Sequence, residues 1–225
     1  MLSDTQGASL VQLARSAVER YITNPFSAAA DLIKDGGASA SIDGNLRAGV
    51  FVTLNLLDDD GDGNGDGSSS GKEQLRGCIG FPLPYKRLHQ SVVEAAIAAA
   101  TEDPRFEPVS AGELGKITFE VSVLTELAEL VAPSRRPDDY RKLVRIGRDG
   151  LMLRSRYGSG LLLPQVPVEW GWDVDEYLAN ICYKAGAPPD AWLDPSSKLY
   201  TFQAIVFKEM EPRGRVARLS LARQH

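Results

Sequence analysis

Alternating side chains on both flanks of a glycine-rich acidic segment constrain the fold more than any other feature of this sequence. In residues 50–57, valine and leucine occupy every second position, which is the period of a strand with one buried face. Residues 74–81 resemble a second strand, and residues 58–71 between them are too polar to pack. Because a polar excursion at a loop end costs little free energy, we predict a hairpin with an enlarged tip. Residues 116–124 form a third alternating strand, which we expect to pair with the hairpin.

Helical periodicity indicates three longer helices. The first begins at Ser9, with Gln12 as its capping-box partner. The second follows the hairpin at residues 86–101, and its many alanines allow close packing. The third begins at Asp173, with Glu176 completing the capping box.

Polar, proline-containing segments divide the second half of the chain. They lie at residues 133–139 and 195–197. We therefore interpret residues 133–196 as a smaller inserted subdomain, and residues 1–132 plus 197–225 as the larger subdomain.

Further strands are predicted on both sides of the second boundary. Inside the insert, glycines separate three short candidates at residues 143–146, 151–154 and 160–163. After it, residues 199–208 are apolar on both faces, which predicts one central strand of the larger subdomain.

Composition excludes several classes of function. Hydrophobic residues make up 43% of the chain and charged residues 24%, as in soluble globular proteins. The net charge of −5 argues against a general nucleic-acid binder, whose surface is usually basic. The chain has no long apolar run and no signal peptide, so we expect a cytoplasmic protein without membrane association. Cys78 and Cys182 lie far apart and are interpreted as reduced thiols, and no cofactor motif is evident.

The second strand of the hairpin carries the main candidate site, Leu75-Arg76-Gly77-Cys78-Ile79-Gly80. Strand alternation predicts that Arg76 and Cys78 share a face, with Leu75 and Ile79 on the other face. A neighbouring guanidinium favours the nucleophilic thiolate. The two glycines remove bulk, so a ligand or another backbone can approach closely. If the three strands are neighbours, a polar face is assembled from Thr53, Asn55, Arg76, Cys78, Glu120 and Ser122.

The same residues can also be interpreted as purely structural. Cys78 is then a small buried residue, its glycine neighbours serve packing, and Arg76 pairs with Glu120. A catalytic cysteine usually needs a histidine base, and the sequence contains His89 and His225 alone. Cys182 lies on the apolar stripe of its helix and is assigned to the core.

The acidic segment matches the spacing of a calcium-binding loop. Asp62, Asn64 and Asp66 are followed by Gly67 and, at the position of the bidentate acid, Glu73. Strands rather than helices flank it, so a flexible acidic insertion is the favoured interpretation, with weak calcium binding as the alternative.

Several separate segments resemble one known family. The six signature residues, Val50-Phe51-Val52-Thr53-Leu54, Asp103-Pro104-Arg105-Phe106, Glu120-Val121-Ser122 and residues 161–166 are similar to the AMMECR domain family, named for the AMME chromosomal region. Glu169, Trp172 and Lys184-Ala185-Gly186 fit as well, and the likeness spans about residues 10–211.

The resemblance implies an α+β fold of two subdomains, each with an antiparallel sheet and flanking helices. It also implies a cleft between the subdomains that receives a protein partner or another large ligand. The family's activity is not established, and a shared pathway with Memo-type and radical-SAM proteins is implied. The cleft residues would be Leu75, Arg76, Gly77, Cys78, Ile79, Gly80, Glu120, Ser122 and Gln165.

Two functional hypotheses therefore stand. The first is a binding module in which Arg76, Glu120 and Gln165 are polar anchors. The second is an enzyme that uses Cys78 as its nucleophile or as a thiolate acid/base, with Arg76 lowering the pKa of the thiol.

Overall fold

A computed structural model describes residues 2–24, 43–57, 73–132 and 136–220. The chain divides into two compact units, one formed by Met1–Val123 with Ile205–Leu219 and the other centred on Leu124–Ala204. Each unit combines helices with an antiparallel sheet, so the predicted α+β fold class is confirmed. In chain order the elements are α1 Asp4–Thr23, β1 Val50–Leu57, β2 Glu73–Phe81, α2 Leu88–Thr101, β3 Ile117–Leu124, β4 Ala128–Glu129, α3 Pro137–Leu143, β5 Gly150–Ser155, β6 Gly158–Leu162, α4 Val166–Glu169, α5 Val174–Lys184, β7 Lys198–Phe202, β8 Ala204–Glu209 and β9 Val216–Leu219.

The first helix begins earlier than the periodicity predicts. Its capping box is Ser3 with Gln6, and not Ser9 with Gln12. The Ser9 hydroxyl instead donates to the Thr5 carbonyl within the helix. Two Ser-x-x-Gln sequences occur six residues apart, and the upstream one adds a full helical turn with Leu10 and Val11 already buried.

The first unit is a sheet in the strand order β2-β1-β3-β8-β9. The predicted hairpin of β1 with β2 is confirmed, and β3 pairs antiparallel with the other side of β1. One face of the sheet carries the core with α1 and α2, and the alanines of α2 let it lie close against β1 and β2. Because β1 lies between β2 and β3, its side chains are neighbours of both strands on each face of the sheet.

The second unit is a sheet in the order β4-β7-β5-β6, with α5 packed against β5 and β6. The Asp173–Glu176 capping box is confirmed, and Cys182 lies fully buried in this unit's core, as predicted. The strands predicted at 151–154 and 160–163 correspond to β5 and β6.

Two strand predictions near this unit are wrong. Residues 199–208 form two strands in different sheets, β7 beside β5 and β8 beside β3. Their continuous apolar pattern arises because each half is buried in a different core. Residues 143–146 contain no strand: Leu143 ends α3, and the apolar Val144 packs into the core from the loop that follows.

The extent of the second unit also differs from the predicted insert at 133–196. Its main segment runs from Leu124 to Ala204, and β4 and β7 at the two ends of this segment both belong to its sheet. Within the described residues, no helix is both long and apolar enough to cross a membrane.

Candidate functional site

A β-bulge at Arg76 changes the geometry that alternation predicts for the signature. Gly77 pairs with Leu54, whereas Leu75 pairs with the next residue of β1, Asn55, so Arg76 has no partner on β1. The extra residue shifts the alternation of β2 by one position. The prediction that Leu75 shares a face with Ile79 is therefore wrong. Leu75 lies on the face of Thr53 and is 43% exposed.

The bulge directs the Arg76 side chain to a partner outside the polar face. Its guanidinium forms an ion pair with Glu113 at 2.7 Å and lies 5.9 Å from the centre of the Phe106 ring. The predicted pairing of Arg76 with Glu120 is wrong for this reason. The Arg76 side chain is only 13% exposed, and its hydrogen bond to Glu113 holds the pKa of that carboxyl at about 2.

Fewer residues of the polar face are accessible than the sequence predicts. The register places Thr53 between Cys78 of β2 and Glu120 of β3. Glu120 and Ser122 are buried, because every residue of β3 is buried on both faces. The accessible part of this face therefore lies along β1 and β2, where Thr53, Asn55 and Cys78 are half-buried.

Cys78 is held by hydrogen bonds to the side chains of Thr53 and Asp103. The Thr53 hydroxyl donates to its Sγ at 3.2 Å, and its own backbone N–H donates to Oδ2 of Asp103 at 2.8 Å. Burial raises the pKa of the Cys78 thiol, and this effect outweighs the Thr53 hydrogen bond and the nearby Arg105, which lower it. Glu120 and Asp103 add to the increase through their negative charge. At neutral pH Cys78 is accordingly a protonated thiol and a poor nucleophile.

Asp103 and Arg105 also belong to the site, although no local pattern in the sequence predicts it. They follow α2, and the Arg105 side chain donates to both carboxylate oxygens of Asp103, at 2.9 and 2.6 Å. This hydrogen bonding holds the pKa of Asp103 at about 2. The Arg105 guanidinium also lies 5.4 Å from the Phe106 ring, on which Arg76 packs as well. In the sequence, only the resemblance of residues 103–106 to the family drew attention to these two residues. That resemblance does not indicate which residues they contact.

The two signature glycines are explained by packing. A Cβ at Gly77 would lie 2.1 Å from the Ala99 carbonyl oxygen, so the glycine admits the backbone of α2. A Cβ at Gly80 would lie 2.4 Å from both the Phe51 ring and the Val50 carbonyl oxygen. The expected close approach is therefore made by the protein's own backbone at Gly77 and by its own side chain and backbone at Gly80.

His89 does not lie where a base for Cys78 is needed. Cys78 lies beside Gly77, which packs on Ala99 near the C-terminus of α2, and His89 lies in the first turn of that helix. Ten residues of α-helix separate His89 from Ala99, a rise of about 15 Å. Burial and then Arg87 lower the pKa of His89.

The remaining predicted residues are distributed over other parts of the chain. Gln165 belongs to the second unit, where its carbonyl accepts hydrogen bonds from Val168 and Glu169 at the start of α4. Of the calcium set, Asp62, Asn64 and Asp66 lie outside the described residues, as does His225. Glu73 is described, and it pairs with Lys208 and accepts from Thr118. In the part of the chain that the structure describes, no cluster of three or more His, Cys, Asp or Glu suited to a metal is present.

Thiol labelling as a function of pH tests this arrangement. In a Cys182→Ala background, we expect Cys78 to alkylate more slowly at pH 8 than a free cysteine, because a raised pKa leaves less thiolate there. Arg105→Gln should raise the pKa further and slow labelling again. Arg76→Gln should leave the labelling profile unchanged because its guanidinium pairs with Glu113. A slower reaction in Arg76→Gln, with Arg105→Gln unaffected, would contradict these assignments.

A family model, related sequences and a solved structure each match most of this chain. The family model described as AMMECR1 matches residues 11–207. Protein TK0174 from Thermococcus kodakarensis is 44% identical over 98% of this chain and 98% of its own length. Protein MJ0810 from Methanocaldococcus jannaschii is 42% identical over 96% of each. The crystal structure of an uncharacterized protein, PH0010 from Pyrococcus horikoshii, matches with a TM-score of 0.80 at 42% identity, covering 95% of this chain and 96% of that one.

Proposed function

Because the chain belongs to the AMMECR1 family, as its signature segments predicted, we propose that its signature serves a binding module whose ligand is a protein partner or another large molecule. The proposed surface is the accessible face of β1 and β2. It consists of the half-buried Thr53, Asn55 and Cys78 with the exposed Leu75 beside them.

One observation carries this proposal: the reactive groups of the signature are engaged in internal contacts. Arg76 pairs with Glu113, and Cys78 is a neutral thiol that accepts from Thr53. Neither is arranged to activate the other. What the strand offers to a ligand is therefore a firmly held surface and not a nucleophile.

Leu75 supplies the apolar contact that such a surface needs. It is a large apolar side chain, 43% exposed, on a strand braced by the Arg76–Glu113 ion pair directly next to it. Burying a leucine against a partner contributes about 1.5–3 kcal/mol, whereas the polar groups of Thr53 and Asn55 fix orientation. Rigid elements present such groups with little loss of conformational entropy on binding.

The second candidate function, an enzyme using Cys78, lacks support from this geometry. A nucleophilic cysteine needs a lowered pKa or an adjacent base. Burial raises the pKa of Cys78, and His89 lies near the opposite end of α2. The predicted cleft, the anchoring role of Gln165 and the pathway link to Memo-type and radical-SAM proteins stay predictions.

A matched pair of surface variants tests the binding proposal. Leu75→Asp should abolish retention of the proteins or ligands that the wild-type chain captures from native lysate. Met210→Asp is the control, because Met210 is 53% exposed in the same unit, in the turn between β8 and β9 at the opposite side of the sheet. Identical captured sets for wild type and Leu75→Asp would overturn the proposed surface.

Cys78→Ser separates binding from catalysis. In cells that lack the gene, we expect this variant to restore function, since a hydroxyl replaces a neutral thiol that makes one hydrogen bond. Loss of function with an unchanged melting temperature and unchanged capture would favour the enzyme instead.

A further inference from the structure

On the outer edge of β2, the backbone groups of Cys78 are occupied by side chains that follow α2. In the described part of the first sheet, β2 is outermost, next to β1. Cys78 N–H donates to Asp103 and not to β1, so Thr53 and Cys78 form a non-hydrogen-bonded pair. The N–H and C=O of Cys78 therefore point away from the sheet, where an added strand would pair.

Asp103 and Arg105 satisfy both of these groups. The Asp103 carboxylate accepts from Cys78 N–H at 2.8 Å, and Nη2 of Arg105 lies 3.5 Å from the Cys78 carbonyl oxygen. One side chain takes the place of a strand's carbonyl and the other takes the place of its N–H. The bidentate ion pair between the two side chains holds them in this position.

From these contacts we infer that Asp103 and Arg105 form an edge cap that keeps β2 from pairing with β2 of a second copy of the chain. The inference is independent of the proposed binding function. A second copy is the relevant partner because two identical strand edges can pair with each other about a two-fold axis. Other copies of the chain are also always present in solution at the concentration of the protein itself.

Other features of the same sheet agree with this role. The bulge at Arg76, the fourth residue of β2, interrupts the edge before Cys78. Bulges and charged residues are the usual protections of exposed strand edges. At the opposite side of the sheet, β9 has only four residues, Val216–Leu219. The stretch around Cys78 lies beyond the bulge, and it is where the cap is placed.

The charge state of the cap makes it persistent. Asp103 is buried, and its hydrogen bonds from Arg105 hold its pKa at about 2, so it remains an ionised acceptor throughout the neutral range. Arg105 is half-exposed and holds the carboxylate from the solvent side. Before another strand can pair at Cys78, the contact of Asp103 with its N–H and the contact of Arg105 with its C=O must both break.

Association measurements on cap variants test the inference. By sedimentation velocity and light scattering across a concentration series, Asp103→Ala and Arg105→Ala should each associate beyond the wild-type state. We expect the association constant to rise about tenfold or more, as for losing one hydrogen bond to a charged group. Arg141→Ala is the control, because it removes an exposed arginine paired with Asp138 and Asp175 in the second unit. Folded cap variants that associate no more than this control would overturn the inference.

Hydrogen exchange in the wild-type chain gives a readout that needs no variant. Although it lies on an outer edge, the Cys78 amide should exchange at least about tenfold more slowly than an exposed amide, because it is bonded to a buried carboxylate. Exchange at the rate of an exposed amide would show that no cap is formed. If Asp103→Ala fails to fold, Arg105→Ala and this exchange rate decide the matter.

Discussion

Glu209→Gln is expected to lower the free energy of unfolding of the first unit by about 3–5 kcal/mol, the cost of removing one partner of a buried ion pair. Glu209 is 2% exposed, and its carboxylate accepts from Arg15 at 2.6 and 2.5 Å. It also accepts from the backbone N–H of Phe119. Glutamine keeps the shape but removes the buried counter-charge of Arg15, whose guanidinium then keeps Glu19, a partly exposed carboxylate one helical turn away at 3.1 Å.

Arg15 is buried, so water compensates little for this loss. It is 7% exposed and donates to the Ile117 carbonyl at 2.7 Å, with its guanidinium 4.6 Å from the centre of the Phe119 ring. The pair therefore joins α1, β3 and β8 inside the core. Losing it weakens the packing of all three elements.

Urea denaturation followed by circular dichroism measures the effect. Glu129→Gln is the control, since it breaks an exposed pair with Lys198 that is worth about 1 kcal/mol or less. A double variant, Arg15→Met with Glu209→Leu, should recover part of the loss, because apolar replacement of a buried pair is often tolerated. A loss below about 1 kcal/mol in Glu209→Gln would contradict the assigned role of the pair.

Gly77→Ala is expected to destabilise the first unit by about 3 kcal/mol, the upper end for overpacked cores. The added methyl group would lie 2.1 Å from the carbonyl oxygen of Ala99 and 3.1 Å from its carbonyl carbon. Both atoms are backbone of a helix, so they cannot turn aside as a side chain would. Either α2 or β2 must shift, and each is packed against the other and against β1.

Gly115→Ala is the matched control for this glycine. Nothing lies within 4 Å of a Cβ at Gly115, and its backbone is not in the left-handed region. We expect this change to be neutral or to stabilise by about 0.4–1 kcal/mol through the unfolded state. Equal stabilities of Gly77→Ala and Gly115→Ala in thermal and urea melts would show that α2 does not lie this close to β2.

The sequence predicted local features of the fold better than the pairing of distant side chains. The hairpin of β1 with β2, the Asp173 capping box and the buried Cys182 each depend on periodicity or on residues within one turn. The prediction of a single strand at 199–208 was wrong, because a continuous apolar run does not show that its two halves pack into different cores.

At the candidate site, the sequence alone determined which residues lie together on β2, and the tertiary structure decided what each of them contacts. Alternation placed Arg76 beside Cys78, but one bulged residue turned Arg76 to Glu113 and brought Leu75 to the accessible face. The partner of Cys78 N–H, Asp103, is 25 residues away and is brought there by the length and packing of α2. Neither the bulge nor the contact between Asp103 and Cys78 produces a periodic pattern in the sequence. Both depend on the packing of the whole unit, which lowers the free energy of the fold as a whole.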